Sequence, residues 1–233
     1  MYINPSLEYE HLSEWLSTLI TKPSTPRIFV RRLSRYLNSQ NHPVRIKLHH
    51  GESKKLSLGE FAIGAEYDPN SDEQKNKQFL IDFILNAPTN IVWHVTSDNV
   101  ENMALELTEV LIHEYEHQRQ YRQRRYRVNK EKYISAVQDP KHKQDQEYLG
   151  APDEINAYAA NIAARYYIQQ FKLNKSVTID CPDLQQYYKV FGKNHKIVKL
   201  LVSKINENIK YYKENDNGKT HKRACKRSRD RRL

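Results

Sequence analysis

Apolar residues recur near the N-terminus at Leu7, Leu12, Trp15, Leu16 and Leu19, a helical spacing that predicts an amphipathic helix over 6–20. A second helix is expected over 26–37. After Pro43 the texture changes to short extended runs, 44–49, Phe61–Tyr67, Phe79–Leu85 and 91–95, separated by turn signals at Gly51, Pro69-Asn70 and Pro88. These predict a small sheet of three to five strands. Asp98, with Glu101 three residues on, resembles a capping box, and a long helix follows through Leu105, Leu107, Val110 and Leu111 into an arginine-rich half. The polar stretch 128–150, which contains Pro140, reads as a loop or lid with one short helix. Pro152 suits the first position of a helix over Pro152–Phe171, and two more are expected over Pro182–Phe191 and 194–212.

The fold class expected is therefore α+β with helix dominant, a small sheet of three to five strands followed by further helices. Six glycines in 233 residues leave few tight turns and agree with it. No apolar run approaches the roughly 18 residues of a membrane span, and the first fifteen residues lack the basic and apolar regions of a secretory signal. Two cysteines, Cys181 and Cys225, can build neither a disulfide framework nor a cysteine zinc cluster. The expected setting is the cytoplasm or another reducing intracellular compartment, including that of an infected cell for a virus-encoded chain, with no membrane partner.

Charge changes the picture at one end. Of the formal +10, the segment 219–233 holds +7, from eight bases against the single acid Asp230, which leaves +3 for the rest. One domain is expected over 1–215 and a basic tail over 216–233. Like charge without apolar periodicity usually forms a solvated tail. Its functional reading is a non-specific nucleic-acid or partner anchor through Lys222, Arg223, Lys226, Arg227, Arg229, Arg231 and Arg232. Arg119, Arg122, Arg124, Arg125 and Arg127 suit an acidic substrate or DNA, although most such faces are only solvated.

The long helix carries the sequence His113-Glu114-Tyr115-Glu116-His117. Histidines four apart share a helical face and reach one metal ion, and the glutamate after the first lies beside the ion's open position. Chance produces HExxH in roughly 3% of chains with this composition, so a third ligand has to be found. A metzincin needs glycine and histidine where this chain has Gln120 and Gln123, and a thermolysin-like spacing puts an acid near Val137, where none stands. Glu154 remains, in the first turn of a helix whose Ala157, Ala159, Ala160, Ala163 and Ala164 allow close packing. An acid at that place also serves the helix dipole.

HExxH with a later glutamate resembles the gluzincin branch of zinc metallopeptidases. The segments 108–118 and 148–164 are similar to the catalytic domains of anthrax lethal factor-like proteases, with Tyr148 ahead of Glu154-Ile155-Asn156-Ala157 in place of a Y…E-x-x-A stretch. The resemblance implies a zincin-like fold, with a small twisted sheet of mostly antiparallel edges over the active helix and a helical C-terminal half, in which an edge strand, here Phe79–Leu85, is offered to an extended protein or peptide substrate. It implies Zn²⁺ on His113, His117 and Glu154, activating a bound water whose pKa falls to about 7. Glu114 is then the general base and Tyr148 the oxyanion donor, with Tyr158, Tyr166 and His195 as fallback donors. Glu109, Glu116 and Asp153 are candidates to orient the imidazoles. The expected function is a zinc-dependent endopeptidase. The alternative is a virion or nucleic-acid-associated assembly protein that keeps a zinc site and docks through its tail with little or no turnover.

Overall fold

The computed structural model describes residues 3–50, 56–57, 59–87, 92–129 and 142–229, except the side chains of residues 50 and 217–229. Among them the fold is α+β. Eight helices, α1 (Pro5–Ser17), α2 (Pro26–Ser39), α3 (Pro69–Glu73), α4 (Ser97–Gln123), α5 (Lys143–Leu149), α6 (Pro152–Phe171), α7 (Pro182–Phe191) and α8 (Lys196–Arg229), accompany three strands, β1 (Val44–His50), β2 (Phe61–Tyr67) and β3 (Phe79–Leu85). No helix among the described residues is long and apolar enough to cross a membrane. The chain forms two compact units: Tyr9–Lys130 with Met1, and Glu131–Leu233 with Tyr2–Glu8.

In the first unit the strand order is β1-β3-β2. β1 runs parallel to β3 and β2 antiparallel to it. β3 is thus the central strand, which corrects the expectation that Phe79–Leu85 is the edge offered to substrate. The cause lies in its composition. FLIDFIL buries Phe79, Ile81, Phe83 and Leu85, whereas β1 carries exposed Arg45, Lys47 and His49, and charge of that kind protects an edge from unwanted pairing. The apolar face of β3 is covered by helices. Phe29 of α2 meets Phe83 at 5.5 Å between ring centroids, and Tyr115 of α4 meets Phe79 at 4.6 Å. On the other face Asp82 accepts a hydrogen bond from His49 at 2.7 Å and Ile84 is exposed.

Other boundaries differ for local reasons. Residues 92–95 form no strand: Trp93 makes one antiparallel bridge to Ser24 and packs edge-on against Phe29 at 4.9 Å. Residue 91 and the turn signals Gly51 and Pro88 lie outside the described residues. The Pro69 turn is the short helix α3, capped by Asp68, whose carboxylate accepts from the Asn70 amide at 3.0 Å. The cap of α4 is Thr96, not Asp98. Its hydroxyl accepts from the Asn99 amide at 3.2 Å and the Asn99 side chain accepts from the Thr96 amide at 3.3 Å, a reciprocal box that leaves Asp98 as a first-turn acid.

The second unit is helical. α6 packs chiefly on α8, where its buried alanines allow close approach. The Tyr212 hydroxyl donates to the Ala160 carbonyl at 3.1 Å, and Tyr167 donates to Asp216 at 2.8 Å. Gly150 joins α5 to α6 where a Cβ would stand 2.6 Å from the Gln146 carbonyl oxygen and 3.3 Å from Ile197 Cδ1, so a side chain there would push the turn off α8. α8 passes its expected end at 212, since no proline stops it and lysine, arginine and alanine, all strong helix formers, recur beyond the weaker stretch 215–218.

Candidate metal centre

Tyr115, inside the HExxH segment, sets how α4 is turned. Its ring packs on Phe79, its hydroxyl donates to the Asn41 carbonyl at 3.3 Å, and His42 Nδ1 lies 3.1 Å from the same hydroxyl. Two residues are roughly 200° of helical rotation, so anchoring Tyr115 on the sheet turns His113 away from it. His117 follows on the same side as His113. Their Nε2 atoms approach to 3.1 Å, with the rings at 75° to one another.

His117 is held from behind. Its Nδ1 donates to Gln120 Oε1 at 3.2 Å, and Gln120 Nε2 donates to Glu116 at 3.3 Å. Arg119 closes the chain by binding Glu116 through Nε at 2.8 Å and through a second guanidinium nitrogen. A proton kept on Nδ1 leaves the Nε2 lone pair free to ligate, the usual arrangement behind a metal-bound histidine. Glu116 therefore acts through Gln120, which sequence reasoning treated only as the residue that excludes a metzincin. Its spacing of three from His117 is the signal that could have found it. Glu114 is buried beside the histidines in sequence, and Glu109 is buried one turn before His113.

Glu154 projects from the first turn of α6, placed there by Pro152 at the helix start. Tyr148 and Tyr158 surround it. Although the Tyr148 side chain is about half exposed, desolvation of its phenol, then the Glu154 charge, then Tyr158 raise its pKa above the ordinary range, and its hydroxyl hydrogen-bonds with both groups. Tyr187, which sequence reasoning missed, is fully buried with its ring edge-on to Tyr158 at 5.6 Å. Burial raises its pKa too, followed by the charges of Tyr158 and Glu154. Asp153 lies in the same first turn. Tyr166 is three turns farther along α6, roughly 18 Å away by helical rise. His195 serves elsewhere: its ring stacks on Phe191 at 5.3 Å and its Nδ1 accepts from the Ile197 amide at 3.2 Å.

His113, His117 and Glu154 each offer one ligand atom, and these atoms all lie within 4.8 Å of one another. They form a group that can hold a metal ion. The donor set fits a divalent cation: two imidazole nitrogens bound to one tetrahedral zinc at about 2.05 Å stand roughly 3.3 Å apart, close to the separation seen. Three of the five arginines after His117 are engaged within the unit. Arg119 holds Glu116, Arg122 holds Asp72 with Nε at 2.8 Å, and the Arg124 guanidinium lies 5.1 Å over the Tyr121 ring. The tail candidates Lys222, Arg223, Lys226, Arg227, Arg229, Arg231 and Arg232 have no described side chains. Comparison with known protein families, characterised proteins and solved structures finds no match to this chain, so the geometry carries the functional argument.

Proposed function

We propose that this chain is a zinc-dependent hydrolase of peptide bonds, with His113, His117 and Glu154 as ligands. The observation that carries the reading is the convergence of two imidazole nitrogens and a carboxylate oxygen within 4.8 Å, with the carboxylate after the first histidine left out of that set. Zinc, when bound, supplies Lewis acidity toward a carbonyl and lowers the pKa of water. Glu114 takes a proton from the attacking water and delivers it to the leaving amine, a task for a carboxylate beside the metal that does not ligate it. Tyr148, kept neutral by its surroundings, donates its hydroxyl proton as a hydrogen bond to the oxyanion. Gln120 and Glu116 hold the His117 ring in its ligating tautomer.

The test combines metal content with turnover. Purified protein should carry about one zinc per chain, and Glu114→Gln should keep the metal while losing cleavage of a casein or proteome-derived substrate by several orders of magnitude, because an amide cannot accept the proton. Equal turnover in both forms would remove Glu114 from the chemistry. Zinc retained with no turnover in either form, across many substrates, would leave a structural metal site and favour the assembly-protein alternative.

A further inference from the structure

α1 and α2 border an open cavity of about 570 Å³, a volume within the range of small-molecule clefts. Three of its lining side chains are cations, Lys22, Arg32 and Arg35, and no acid lines it. Arg32 is the informative one: its Nη1 is buried and has no hydrogen-bond partner among the described residues. A buried guanidinium nitrogen without an acceptor bears its full desolvation cost, which an anion with oxygens in fork geometry would relieve. Two aromatic side chains, Trp15 and Tyr36, share the lining with Thr18, Leu19 and Ser39. Trp15 and Tyr36 stack with centroids 4.5 Å apart and planes 10° from parallel, and the Tyr36 hydroxyl is tied to the His11 carbonyl at 2.8 Å.

The geometry points to a nucleoside-phosphate site, with the base against the Trp15–Tyr36 pair and the phosphate on Arg32, flanked by Arg35 and Lys22. A simple anion would use the cations and leave the rings idle, whereas a nucleotide unit uses both, since bases stack on aromatic faces and arginine forks bind phosphate. The ligand is either a free nucleotide or one unit of a single strand. This site shares no residue with the metal group, and all its residues belong to the first unit.

Trp15 reports on binding, because the other tryptophan, Trp93, is buried in the core against Phe29. The full chain is titrated with adenosine monophosphate, with a short oligodeoxyadenylate and with inorganic phosphate, following tryptophan fluorescence and binding heat. Saturable quenching by the nucleotide or the oligonucleotide is expected, and the affinity read from binding heat should weaken about tenfold or more in Arg32→Gln and also fall in Trp15→Leu. Saturation by the monophosphate identifies a free-nucleotide site, and saturation by the oligonucleotide alone identifies a strand site. Inorganic phosphate binding as tightly as the nucleotide overturns the assignment, because the rings would then contribute nothing. Unchanged affinity in both Arg32→Gln and Arg35→Gln, with the fold verified by circular dichroism, overturns it as well, as does no binding of either nucleotide form at millimolar concentration.

Discussion

His117 ligates best when a hydrogen bond keeps a proton on its Nδ1, and in this chain Gln120 accepts that bond, backed by Glu116 and Arg119. Replacing Gln120 with leucine removes the acceptor while keeping similar bulk. Zinc affinity, measured by competition with a chelator, should fall roughly 10- to 100-fold, the usual effect of losing such a partner. His117→Ala should abolish stoichiometric binding, since two ligands hold the ion weakly, and full zinc content in that variant would refute the site. At this scale the motif residues were legible because a spacing of four is a fixed helical geometry. Tyr187 was not, because nothing local marks a tyrosine on a separate helix as a neighbour of Glu154.

Among elements, α3 and α4 are joined by one carboxylate. Asp72 is buried and accepts from Tyr67 at 2.8 Å, from Tyr126 at 3.1 Å, from Gln118 at 3.4 Å and from Arg122 Nε at 2.8 Å. Burial alone would push its carboxyl up. The Arg122 hydrogen bonds and the Tyr67 hydroxyl outweigh that and hold it below the ordinary carboxylate range. Because its folded pKa is depressed, Asp72 contributes stability that is complete above its unfolded value of about 3.9 and is lost as pH falls through the folded value. Thermal melts should therefore show wild type losing stability below about pH 4 more steeply than Asp72→Asn, whose side chain does not titrate there. A parallel pH dependence in the two proteins would exclude this origin. Asp72→Ala should cost roughly 2–4 kcal/mol near neutral pH, the lower side of the range for broken buried pairs because Arg122 is about half exposed. An arginine-rich helix end suggests a polyanion surface from sequence, yet Arg122 is committed to a residue fifty positions earlier, a pairing that local pattern does not encode.

For the whole molecule, the charge distribution makes its own prediction. If the bases of 219–233 neutralise five phosphates, duplex binding should be independent of sequence and fall with salt at a log–log slope of roughly −4.5. Truncation after Asn217 should remove nearly all of it and spare hydrolysis of a small peptide. A truncated chain with an unchanged slope would place the contact elsewhere. Sequence by itself determined most of the helices, the limits of β2, β3, α6 and α7, and the two histidines with their glutamate, because each depends on hydrophobic period, proline position or helical spacing, all properties of neighbouring residues. The tertiary structure alone decided that β3 is central, that residues 92–95 supply a single bridge instead of a strand, and that Gln120 backs His117. Those outcomes depend on which strand buries both edges and which side chain finds a partner across space. Apolar runs of similar composition compete for the same places in a sheet, and only packing chooses among them.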